Sequence, residues 1–265
     1  FRAWREQLTA LGLVSPVTWA ESVYGDRTFC RLVAATDDCV CFQRGRELVA
    51  VDSRSGDELW VRDDFPLGSD LMGSPSHLLV TPLSGPSSAL LSSLDGRLVV
   101  RRPTLPISKR LTAHQGRALL FDQEVEPRQL GLYDPVEDRF VWQQDLAADD
   151  LPVVSAGMMT GVVDAQGELN LFDPATGELL VTANLGSLDN LRAAIVFPFG
   201  KGIVVGLDQT PDDNANLASR NVRLGEMNIS GKLIGLDADD GRQLWSRPLK
   251  DQRMRTSQPF GLPVL

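Results

Sequence analysis

The chain has 265 residues, a formal net charge of −9, 43% hydrophobic and 23% charged residues, a globular composition whose folding buries roughly 70% of the extended-chain surface without a disulfide or metal staple. An acidic average surface repels phosphate backbones and argues against nucleic acid as a partner. No apolar run approaches the ~20 residues that a membrane-spanning helix needs, so no transmembrane segment is expected.

At the front, Phe1, Trp4, Leu8 and Leu11 stand three and four apart ahead of Gly12 and Pro16. That spacing predicts a short amphipathic helix or linker over residues 1–16. A start at Phe1 rather than Met suggests a processed product or a piece of something longer. Residues 17–265 read as short strands and turns, in keeping with 23 Gly and 16 Pro. TFCRLVA (28–34) and CVCFQ (39–43) are the first predicted strands. Cys39 and Cys41, two apart on one strand, point the same way, a poor geometry for a disulfide. Together with Cys30 they make an odd count and are expected as small buried hydrophobes. With only His77 and His114 beside them, no metal site is expected.

From residue 48 onward one motif recurs: an apolar strand, Asp-x-x-x-Gly, then a second apolar strand with a large residue four positions after the glycine. LVAVDSRSGDELW (48–60), NLFDPATGELLV (170–181) and LIGLDADDGRQLW (233–245) are the clearest copies. GLYDPVEDRFVW (131–142) fits with Asp138 in the glycine slot, and LLSSLDGRLVV (90–100) fits with Ser92 in the aspartate slot and Asp95 next to the glycine. The slots are then Asp52, Ser92, Asp134, Asp173 and Asp237; Gly56, Gly96, Asp138, Gly177 and Gly241; and Trp60, Val100, Trp142, Val181 and Trp245. The glycine slots are spaced by 40, 42, 39 and 64 residues. An aspartate here can accept nearby backbone N–H groups in an Asx-type turn, and glycine or Asp supplies the positive φ that closes it. The tryptophans are expected to pack between adjacent sheets with each N–H finding an acceptor. With two more strands per unit, such as SHLLVTPL (76–83), each copy is a four-stranded sheet that must stack on its neighbours.

The remaining segments carry weaker signals. Arg97, Arg101, Arg102, Lys109 and Arg110 form a basic run that proline interrupts. Gly200-Lys201-Gly202 with Gly206 fails the spacing of a phosphate loop and predicts a strand–turn–strand. Residues 208–230 form a long polar loop insertion, the place to look first for function. Its Asp212, Asp213, Asn214 and Asn216 lack the spacing of a calcium loop. VTWAESVYG (17–25) and QPFGLPVL (258–265) are candidates for completing a ring or for remnants of further units. In a fragment, exposed edge strands would favour self-association.

VAVDSRSGDELW and LFDPATGELLV resemble the repeat of quinoprotein-like, WD40-like β-propellers. That family includes pyrroloquinoline-quinone dehydrogenases, the non-catalytic outer-membrane assembly lipoprotein of the BamB type, and repeat domains of planctomycete-type bacterial proteins. The resemblance implies an all-β propeller of four-stranded blades with about five visible repeats, complete or partial, and a bacterial cell-envelope or periplasmic setting.

No Gly-x-Ser-x-Gly nucleophile turn, dinucleotide fingerprint or calcium-and-base constellation stands in the sequence, and Cys39-Val40-Cys41 is not the adjacent pair of many quinone dehydrogenases. No catalytic, cofactor-binding or metal-binding residue is therefore assigned, and no cofactor. The leading reading is a non-catalytic propeller that holds a protein partner or other domains of a longer parent chain. A carbohydrate- or small-ligand-binding propeller is the alternative, and a quinone-dependent dehydrogenase the more distant one.

Overall fold

The computed structural model describes residues 33–104, 109–155, 159–191, 193–209, 226–256 and 263–264. The expected helix over 1–16, Cys30, the strand candidate 17–25 and Asp212–Asn216 lie outside them. The described residues form five four-stranded antiparallel sheets, the blades of an all-β propeller. None of their helices is long and apolar enough to cross a membrane.

The chain divides into two compact units, Phe1–Ser108 and Lys109–Leu265. In the first, β1 (Val33–Ala35), β2 (Cys39–Arg44), β3 (Glu47–Asp52) and β4 (Glu58–Arg62) make blade 1, and β5 (Asp70–Gly73), β6 (His77–Thr81), β7 (Ser87–Ser92) and β8 (Leu98–Pro103) make blade 2. In the second, blade 3 is β9 (Arg110–His114), β10 (Arg117–Asp122), β11 (Arg128–Asp134) and β12 (Arg139–Leu146). Blade 4 is β13 (Leu151–Ser155), β14 (Thr160–Val163), β15 (Glu168–Phe172) and β16 (Leu179–Asn184). Blade 5 is β17 (Ala193–Phe199), β18 (Gly202–Asp208), β19 (Glu226–Asp237) and β20 (Gln243–Thr256), with β21 (Pro263–Val264) added along the end of β20. Strands follow chain order in every blade, because each hairpin returns beside the strand it left.

The first strands of blades 1 and 2 lie side by side, as do those of blades 4 and 5. A Cβ on Gly73 of β5 would stand 2.2 Å from the Ala35 carbonyl oxygen of β1, and β13 pairs in parallel with β17 through Val154–Ile195 and Ser155–Val196. The fourth strands form the opposite edge and carry most of the exposed positions.

Apolar residues fill the space between blades. Cys39, Cys41, Leu48 and Ala50 of blade 1 pack on Leu71, Leu78, Val80, Ala89 and Leu91 of blade 2. Leu130, Leu132 and Leu146 of blade 3 meet Val162 and Phe172 of blade 4. Leu169, Leu171 and Val181 of blade 4 meet Val196, Val205, Ile234 and Leu236 of blade 5. Buried leucines contribute about 1.5–3 kcal/mol each when fully removed from water, so stacking supplies the stabilisation that one small sheet lacks.

The strand–turn–strand reading of Gly200–Gly202 corresponds to the β17–β18 hairpin, whose turn is Gly200 and Lys201. Of the expected loop over 208–230, Asp208 ends β18 and Glu226–Ser230 open β19. β19 and β20 pair as far out as Glu226–Arg255, beyond the Gly231 position where β18 stops. The hairpin thus extends past β18, with β21 alongside its outer end at Arg255 and Thr256.

Candidate interaction surface

The turn between third and fourth strands is the local unit of the repeat. In blade 1 the Gly56 N–H donates to the Asp52 carbonyl at 2.9 Å and the Asp52 N–H to the Asp57 carbonyl at 2.8 Å. The same two bonds close the Ser92–Gly96, Asp173–Gly177 and Asp237–Gly241 turns. The residue in the glycine slot has positive φ in all five blades, 77° at Gly56, 67° at Gly96, 57° at Asp138, 74° at Gly177 and 71° at Gly241. Asp52 Oδ1 accepts the N–H groups of Arg54 and Ser55, both at 2.8 Å, and these donors hold its carboxyl below the ordinary value. Asp134 Oδ1 accepts from Val136 and Glu137, Asp173 Oδ1 from Ala175 and Thr176, and Asp237 Oδ1 from Asp239. Blade 2, with Ser92 in that slot, shifts the work to Asp95, which accepts from the Ser92 hydroxyl and the Arg97 N–H. Asp138 keeps its left-handed conformation with its carboxylate bonded to the Tyr133 hydroxyl.

A bulge recurs in the third strand, at Ala50/Val51, Leu90/Leu91, Leu132/Tyr133, Leu171/Phe172 and Gly235/Leu236. It sets Trp60 opposite Ala50 and Trp142 opposite Leu132, a register that directs both rings toward the following blade, and Trp245 opposite Gly235 of its own blade.

There the tryptophans act as fasteners. The Trp60 Nε1–H donates to the Ser93 carbonyl of blade 2 at 2.8 Å, and the ring covers Gly96, whose Cβ would lie 2.7 Å from Cδ2. Trp142 does the same to blade 4, donating to Pro174 at 3.0 Å and covering Gly177, again at 2.7 Å. In the contact of blade 4 with blade 5, Val181 Cγ1 lies 3.0 Å from the position of a Gly241 Cβ. A second donor stands two residues further along. Arg62 Nη1 reaches the Gly96 carbonyl at 2.7 Å and Gln144 Nε2 the Gly177 carbonyl at 3.1 Å. The repeat comparison did not single out this position, although the series Arg62, Arg102, Gln144, Ala183, Arg247 carries a polar donor in four of five copies.

One residue before the tryptophan slot, the side chain leaves the stack. Leu59, Val99, Leu180 and Leu244 are exposed there on four fourth strands, and Val141 is partly buried in the other. Phe199, at the tip of the β17–β18 hairpin, is the most exposed of the large hydrophobics described, at 79%. Neither the register of these side chains nor the Phe199 tip was singled out by the repeat pattern.

Cys39 and Cys41 are free thiols buried in the core between blades 1 and 2, and burial pushes both up. His77 opens β6 with Nδ1 2.9 Å from Ser76 Oγ, and His114 ends β9. Among the described residues no group of three or more His, Cys, Asp or Glu is placed to hold a metal ion.

A repeated four-stranded sheet, stacked face to face and fastened through a turn glycine, defines a β-propeller of the PQQ-like repeat class. The chain belongs to the family described as outer membrane protein assembly factor BamB, whose profile matches residues 95–265. No curated protein matches it. Similar solved structures include BamB from Moraxella catarrhalis, at 15% identity over 87% of this chain and 82% of that one with a TM-score of 0.39. Hsv2 from Kluyveromyces lactis matches at 5% identity over 82% of this chain and 61% of that one, with a TM-score of 0.45.

Proposed function

We propose that the chain is a non-catalytic scaffold that holds a protein partner on the outer strands of its blades. The observation that carries this reading is the display of Leu59, Val99, Leu180 and Leu244 at one register position, each exposed on a fourth strand. Exposed apolar side chains on these strands lower the cost of docking another protein, and a few such anchors dominate interface energies. Family membership agrees with it, since the family description names an assembly factor of the outer membrane; a bacterial envelope protein is the partner class we infer.

The test is site-specific photo-crosslinking in bacterial cells that make the chain. A benzophenone side chain at position 59, 180 or 244 is expected to give a discrete adduct with one envelope protein. The same group at Asp149, exposed in the β12–β13 connection, should give none. Adducts equally abundant from all four positions would overturn the reading.

A further inference from the structure

The basic run of the sequence divides on folding into spent and unspent charges. Lys109 is held by Asp122 and Glu124, at 2.8 and 2.7 Å, and Arg102 is partly buried opposite Ser88. Arg97 and Arg101 stay exposed on blade 2, one just before β8 and one within it. Neither of these two side chains makes a hydrogen bond or an ion pair among the described residues. The carboxylates beside them are committed elsewhere. Asp64 is gripped by Arg62 through both oxygens, at 2.8 and 2.6 Å, and Arg101 adds only a longer-range attraction. Asp95 accepts from the Ser92 hydroxyl and from the Arg97 main-chain N–H.

Apolar side chains fill the same strip. Leu98 and Val99, 37% and 49% exposed, lie between the two arginines in the chain, and Leu94 in the preceding turn is 70% exposed. Leu98 stands opposite Leu91 and Arg101 opposite Ala89, and both partners pack toward blade 1. The strip therefore borders the seam that Trp60 and Arg62 fasten, inside a single unit. An exposed leucine alone is ordinary on a protein surface. Aliphatic side chains set between two unspent guanidiniums, on a chain of net charge −9, form a surface that complements an apolar segment flanked by carboxylates, because guanidinium and carboxylate pair through two parallel hydrogen bonds.

We infer that β8 docks an extended acidic segment of a partner protein, its carboxylates paired to Arg97 and Arg101 and its aliphatic side chains laid on Leu98 and Val99. Residues four positions apart on a strand are about 13 Å apart, the span of two carboxylates separated by three residues in an extended peptide. Exposed Asp63, Asp64 and Asp95 flank the strip and would repel a densely negative surface such as an anionic bilayer or a nucleic acid, whereas separate carboxylates avoid them. The contact rests on the partner reading above, of which Val99 is one anchor, and adds the partner's chemistry.

Fluorescence polarisation of the full chain with a labelled Glu-Leu-Val-Leu-Glu peptide flanked by glycines tests it. Binding is expected to weaken about tenfold when glutamine replaces both glutamates, and by a similar factor at high salt. Val99→Ser should weaken it without changing the salt dependence. Arg97→Glu/Arg101→Glu should lose the acidic peptide and gain the Lys-Leu-Val-Leu-Lys counterpart, and that gain also shows that the variant folds. Equal binding of the glutamate and glutamine peptides, or no binding of either, overturns the proposal. So does cosedimentation with phosphatidylglycerol vesicles that the double variant abolishes, the behaviour of a lipid site. Crosslinked adducts from positions 180 and 244 report on the partner reading separately, so their persistence beside a failed peptide titration removes this inference alone.

Discussion

The Trp60 indole lies flat enough on Gly96 that a Cβ there would come within 2.7 Å of Cδ2, 2.8 Å of Cε3 and 3.1 Å of Cε2. Two independent demands therefore meet at one residue. The backbone needs a φ of 67°, and the neighbouring sheet needs the space above it.

Gly96→Ala should cost about 2–4 kcal/mol, from left-handed strain plus displacement of a rigid ring. Gly45 separates the two terms, since its φ is 59° and nothing lies within 4 Å of its Cβ position among the described residues. Gly45→Ala should cost only about 1 kcal/mol. Urea unfolding of the two variants checks the difference, and equal losses would refute the steric part.

At Trp142 the ring and the N–H can be separated. Trp142→Phe keeps most of the packing and forfeits the bond to the Pro174 carbonyl, an expected loss of about 1 kcal/mol. Trp142→Ala removes both, with an expected loss of about 3 kcal/mol given a partly buried site. Thermal melts followed by circular dichroism would register the order, and a phenylalanine variant as weak as the alanine one would deny the packing its role.

Acid should loosen blade 3 through Asp134. Burial pushes this carboxyl up, but the Arg117 guanidinium at 2.8 Å and the N–H groups of Glu137 and Val136 outweigh it and hold the group below its ordinary 3.8. A depressed folded value means that the carboxylate's contribution is present above 3.8 and is lost as the pH falls through the folded value. Asp134→Ala should therefore be destabilised by about 2 kcal/mol at neutral pH and lose less stability than the wild type below 3.8. Denaturant midpoints measured from neutral to acid pH provide the comparison; parallel curves would contradict it.

Cys39 and Cys41 should resist alkylation in the folded protein. Both are fully buried, and desolvation raises both thiols, so little thiolate exists at neutral pH. In a Cys30→Ser background a thiol reagent is expected to label neither residue in buffer and both in concentrated urea. Rapid native labelling would show that blades 1 and 2 separate readily.

How much of this was legible in advance depends on range. The sequence by itself determined where the strands turn and that five sheets of one kind follow each other, because an Asp-x-x-x-Gly hairpin is closed by bonds within six residues and its chemistry is local. It also anticipated an all-β chain with apolar strands too small to stand alone. Only the tertiary structure decided what those sheets do to each other: that Arg62 and Gln144 reach the next turn's carbonyl, that Asp138 is held by Tyr133, that β13 pairs with β17, and that Leu180 faces water whereas Val181 beside it is buried. Sequence spacing places a residue on one face of a strand, but which face meets another sheet is set by how blades stack, through contacts between residues more than thirty positions apart.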